Sequence, residues 1–133
     1  MRSLAFRLAL VLSLVVAAAA HAQGPSQALQ SSTPQERATF QTEYMKTKLA
    51  LTAEQLPKVS ALNLETAQKM EPVLKGSEGP LVKLRAMKAI EDQKETGLQG
   101  ILTPDQFQKF LAAREELKQK LEEKLAAKAA GAK

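Results

Sequence analysis

An all-α fold of four helices in two hairpins is what this sequence predicts, and three observations carry the expectation. A five-residue pattern occurs twice: Leu51-Thr52-Ala53-Glu54-Gln55 returns as Leu102-Thr103-Pro104-Asp105-Gln106, an offset of 51 residues. The register holds beyond the motif, because Lys58, Ala61, Glu65, Gln68 and Lys69 face the identical Lys109, Ala112, Glu116, Gln119 and Lys120. No segment alternates apolar and polar residues as a half-buried strand would. The break Gly76-Ser77-Glu78-Gly79-Pro80 lies between the copies. A repeated helix–turn–helix unit fixes the architecture before any local assignment.

The N-terminal segment reads as targeting rather than fold. Arg2 and Arg7 form a positive n-region, Leu8 to Ala20 an apolar h-region, and Ala20-His21-Ala22 an A-x-A cleavage site. The apolar run is about 13 residues, short of the roughly 20 that span a membrane. Cleavage between Ala22 and Gln23 is expected, giving an exported, soluble chain that keeps no membrane insertion. The absence of cysteine leaves no site for a lipid anchor. Residues 23–32, rich in Ser, Gln, Gly and Pro, are expected to form a flexible leader. The helical domain is expected over 33–128, with a frayed tail at 129–133.

Thr33-Pro34-Gln35-Glu36 is a capping box with proline at the first helical position, opening a helix to about Lys48. Phe40 with Tyr44 and Met45 with Leu49 give it an apolar face. Thr52 caps the second helix, with Gln55 reaching back to the capping residue and Leu51 and Leu56 placed as a hydrophobic staple. Leu56, Val59, Leu62, Thr66, Met70 and Val73 or Leu74 form its stripe. Pro57 should remove one early hydrogen bond and bend the first turn. Gly76 suits a helix end and Pro80 a helix start. The third helix is expected from Pro80 to Leu98, with Leu81, Leu84, Met87 and Ile90 as its apolar side and Gly97 and Gly100 ending it. Thr103, Pro104 and Gln106 repeat the cap with Leu102 and Phe107 as the staple; Phe107, Phe110, Leu111, Leu117, Leu121 and Leu125 form the fourth stripe. Each cap contributes roughly 1 kcal/mol, which secures a boundary but makes no active site.

Composition excludes several functions. With Arg2 and Arg7 removed, 17 basic and 14 acidic residues remain, a net charge of +3 that is too small to argue for nucleic acid. The one histidine, His21, lies in the signal segment, so no cofactor or metal site and no Cys–His or Ser–His couple is expected. Paired acids such as Glu91–Asp92 and Glu115–Glu116 read as surface charge on lysine-rich helices. No enzyme is expected.

The residues Leu51, Thr52, Gln55, Leu102, Thr103 and Gln106 carry a resemblance: the chain is similar to the Spy/CpxP group of LTxxQ-motif envelope proteins. The resemblance implies a periplasmic, cradle-like antiparallel homodimer. It implies an ATP-independent chaperone for unfolded or partly folded envelope proteins, or an accessory regulator docking on an envelope-stress sensor kinase. Histidine-rich zinc-binding segments, which some members of that group carry, are absent from this chain.

One feature resists a purely structural account. The third helix has Lys83, Arg85 and Lys88 near its start and Glu91, Asp92 and Glu95 near its end, opposing the helix macrodipole. One reading is a solvated face that pairs across the hairpin or dimer. The other is a basic strip, Lys83, Leu84, Arg85, Met87 and Lys88, that meets clients, methionine supplying an adaptable apolar contact.

Overall fold

The computed structural model of the chain describes residues 27–131. Five helices follow one another: α1 (Gln27–Ser31), α2 (Pro34–Leu49), α3 (Gln55–Lys75), α4 (Pro80–Ile101) and α5 (Pro104–Gly131). No strand occurs among the described residues, so the fold is all-α. The signal segment, with its Ala22–Gln23 junction, lies outside the described residues.

The three caps are built as their sequences dictate. Thr33 Oγ1 accepts from Glu36 N–H at 3.1 Å while Thr33 N–H donates to Glu36 Oε2 at 2.9 Å. Thr52 and Gln55 repeat this exchange at 3.1 and 3.0 Å, and Thr103 and Gln106 at 3.2 and 3.0 Å. Leu56 N–H already reaches Thr52 O at 3.0 Å, yet the regular part of α3 starts only at Gln55. Pro57 accounts for the delay, since it has no N–H to give Ala53 O its i+4 partner.

α2 packs along α3, α3 along α4, and α2 along α5, whereas α4 and α5 barely touch. α2 and α3 lie side by side, whereas α4 and α5 diverge from their shared turn, so the expected arrangement of four helices in two hairpins is not what these five helices show. Two apolar clusters result. Met45, Leu49, Val59, Leu98, Leu102, Phe110 and Leu117 fill the end near the motifs. Leu29, Met70, Leu74, Leu121 and Leu125 fill the other end. Burying a Leu, Val or Met side chain fully contributes about 1.5–3 kcal/mol. Val59, Leu98, Leu74 and Met45 are the largest such apolar contributors.

Four expectations are corrected. The polar segment expected to be flexible over 23–32 holds α1, because Leu29 has an apolar site to enter on α3 and α5. The third helix does not end at Gly97 or Gly100 but runs to Ile101. A Cβ on Gly97 would lie 2.9 Å from Leu62 Cδ2, so this glycine serves the close approach of α4 to α3. α5 continues to Gly131, into the tail expected to fray over 129–133, of which 132–133 lie outside the described residues. Leu125 is buried there, and Lys128 pairs with Glu36 of α2. Finally, the apolar side assigned to the third helix leaves Leu81 and Leu84 exposed and buries Lys94 and Leu98.

Candidate functional site

The two motifs meet. Gln55 Nε2 donates to Gln106 Oε1 at 2.7 Å, and Gln106 Nε2 donates back to Gln55 Oε1 at 3.0 Å. Each amide also reaches the last carbonyl of the helix leading into the other motif. Gln55 Nε2 donates to Ile101 O and Gln106 Nε2 to Leu49 O, both at 3.2 Å. The Thr52 and Thr103 N–H groups fix which end of each amide is oxygen. The repeat thus forms one pseudo-symmetric joint, and Leu51, Thr52, Gln55, Leu102, Thr103 and Gln106 are its parts. Leu102 is buried in the adjoining cluster and Leu51 packs against it.

Away from the joint, α4 and α5 flank a cleft of about 390 Å³ whose floor comes from α2 and α3. Ala67, Met70, Leu74, Leu117 and Leu121 give it an apolar lining. Of the strip proposed from sequence, Leu84, Met87 and Lys88 line this cleft, while Lys83 and Arg85 do not. Lys83 Nζ instead donates to Leu74 O at 3.2 Å, at the C-terminal end of α3. A cation there meets the negative end of the α3 dipole, which offsets its unfavourable place on α4. Lys88 pairs with Asp92 at 2.9 Å. Arg85 is exposed and forms no ion pair among the described residues.

The strip read from the sequence includes Leu84 but neither Leu81 nor Val82. Leu81, Val82 and Leu84 are 60%, 49% and 47% exposed. All three sit in the first turn and a half of α4. Single exposed apolar residues are ordinary; three within four consecutive residues, with Leu84 lining the cleft, stand out from that background.

Two buried cations frame the cleft and were also missed. Arg37, 3% exposed, is fully engaged. Its Nη1 donates to Leu29 O, Ser32 O and Ser32 Oγ, and its Nη2 to Ala67 O and Glu71 Oε2. Hydrogen bonds from Lys75 first and Arg37 second hold the Glu71 carboxyl below its ordinary range. Lys94, 2% exposed, donates to Gln41 Oε1 at 2.7 Å. Burial pushes its pKa down, against the opposing pull of Glu91 and Glu95. Arg114 crosses from α5 to Glu95 of α4 at 2.5 Å, the ion pair that spans the cleft. The Lys94 position has a sequence signal, since Met87, Ile90, Lys94 and Leu98 fall at helical spacing and place the lysine on an apolar face.

Among the described residues, no group of three or more His, Cys, Asp or Glu is placed to hold a metal ion. No described helix is long and apolar enough to cross a membrane. Residues 22–110 match the family described as Domain of unknown function (DUF4890). No curated protein and no solved structure shows a significant match to the chain.

Proposed function

The chain belongs to that family, Domain of unknown function (DUF4890), and for it we propose the role of an ATP-independent chaperone of the Spy/CpxP type. It is exported to the periplasm, pairs as an antiparallel homodimer, and holds unfolded or partly folded envelope proteins weakly. One observation carries the reading: exposed Leu84 and Lys88 line an apolar cleft, and exposed Leu81, Val82 and Arg85 lie in the same stretch of α4. A mixed apolar and basic surface with methionine in it suits varied, weakly held partners. Leu84, Met87 and Lys88 are the proposed client contacts inside the cleft, with Arg85 on its outer side. Lys83 sets the α3–α4 turn and is set apart from them.

The test is aggregation of a reduced, unfolding model client at near-stoichiometric chaperone. The wild-type chain should suppress it. Leu81→Ser with Leu84→Ser should lose most suppression while keeping its unfolding midpoint, since both side chains are about half exposed. Arg85→Gln with Lys88→Gln should weaken suppression and make the remainder less sensitive to salt. Tight one-to-one binding of a single sensor-kinase periplasmic domain, with no effect on aggregation, would replace the chaperone reading with the regulator. Sedimentation of the wild-type chain as a monomer at working concentration would remove the dimer.

A further inference from the structure

We infer that α1 is an internal occupant of the cleft, a displaceable plug that covers part of its apolar floor. The inference deepens the chaperone reading and rests on it for its functional consequence. The described residues of α1, Gln27–Ser31, are held against the bundle through Leu29 and through the Arg37 bonds to the backbone around it.

Among the described residues, the docking combines an apolar anchor, Leu29 with Ala28 packed beside it, and a polar grip. Leu29, 8% exposed, enters the cluster of Met70, Leu74, Leu121 and Leu125, with Met87 and Ile90 of α4 packed alongside. Leu29 lines the same cleft as Leu84, Met87 and Lys88. The grip comes from α2, where Arg37 Nη1 takes Ser32 O at 2.7 Å and Leu29 O at 3.3 Å. Ser32 Oγ closes the turn by donating to Leu29 O at 2.7 Å. Arg37 is itself fixed to α3 through Ala67 O and Glu71, so the receptor for α1 stays formed when α1 leaves.

A leucine in a short polar segment, Gln-Ala-Leu-Gln-Ser, is chemically what an unfolded client offers such a surface. Release of α1 would uncover Met70, Leu74, Leu121 and Leu125 and join them to the exposed leucines at the α4 start. Client and plug would then compete for one apolar surface, and α1 would set the affinity.

The experiment uses the full chain with Leu29→Asp, which ejects the anchor, beside Leu29→Met, which keeps it. Three quantities are read: apolar-dye fluorescence, far-UV circular dichroism and client aggregation. Leu29→Asp should raise dye fluorescence roughly twofold, since such dyes report exposed apolar surface. Its circular dichroism should stay near wild type, its suppression should rise, and Leu29→Met should match wild type in all three. Loss of the helical signal in Leu29→Asp would make α1 an integral part of the core and overturn the inference. Ser32→Ala, which removes only the hydroxyl bonds, guards against a misfolded variant: a smaller rise in dye fluorescence supports the plug, and no rise overturns it. Raised dye fluorescence with no suppression by either chain would defeat the chaperone reading and leave the plug standing. Suppression by wild type that Leu29→Asp does not improve would defeat the plug and leave the chaperone standing.

Discussion

Gln106→Ala and Gln55→Ala should be coupled in stability, because each amide completes the other. Gln106→Ala removes four hydrogen bonds: from Thr103 N–H, to Leu49 O, and the reciprocal pair with Gln55. Gln55→Ala removes four by the same count, through Thr52 N–H, Ile101 O and the same pair. Two bonds are common to both sets, so the double variant loses six rather than eight. A net hydrogen bond contributes roughly 0.5–1.5 kcal/mol, and the half-buried position places these at the lower end. Each single variant should then lose about 2 kcal/mol, and the double variant about 1 kcal/mol less than their sum. Urea unfolding followed by circular dichroism gives all four corners of the cycle. Thr103→Ala supplies the control: it costs roughly 1 kcal/mol as a cap. Additivity of the two glutamine changes to within about 0.3 kcal/mol would mean the amides do not meet, and the joint would be refuted.

Gly97→Ala should lose about 1 kcal/mol, because a Cβ 2.9 Å from Leu62 Cδ2 makes overpacking outweigh the gain in helix propensity. Gly100→Ala, with nothing within 4 Å of its Cβ, should gain roughly 0.8 kcal/mol; the two urea midpoints moving the same way would contradict the packing. Lys94 has a depressed folded pKa, so the unfolded chain binds the extra proton and stability should rise as pH climbs towards the ordinary value of 10.5. Lys94→Met should abolish that rise, and an unchanged alkaline slope would refute it. Glu116 is held down to about 2, first by its hydrogen bond from Lys120 and then by that from Lys48. Its contribution is complete above the ordinary carboxyl value of 4.5 and is lost as pH falls towards about 2. Glu116→Gln should flatten the acid limb of stability, and Glu71 keeps part of that limb in the same direction.

What could be read from the sequence was local. All three capping boxes and the break before Pro80 follow from short-range chemistry, and each forms as its residues require. The stripe of α5 was legible too, since Phe110, Leu117, Leu121 and Leu125 recur at helical spacing and are all buried. The failures were tertiary. Nothing near Gln55 in sequence reports that Gln106 will face it. Gly97 looks like a helix breaker until Leu62 is known to press on it. α1 looks disordered by composition because one leucine orders it, and the site for that leucine is built by helices far along the chain. The basic start of α4 looked unfavourable because the end of α3, which Lys83 reaches, is not a neighbour in helical register.

These elements explain why a repeated cap accompanies a cleft. The joint ties the start of α3 to the start of α5 through two amides, and the first apolar cluster packs directly behind it. α4 enters the joint and α5 leaves it, so both are fixed at that end and diverge beyond it. Their separation exposes the α3 floor, and among the described residues only Arg114–Glu95 spans the gap as an ion pair. Half-exposed at the arginine, such a pair contributes about 1 kcal/mol or less. The far end is held by the second cluster, to which α1 contributes one leucine under the grip of Arg37. Local opening is easiest where few apolar contacts must break. On the proposed plug, the α1 end yields before the joint, and its release changes the exposed apolar area without disturbing the motifs.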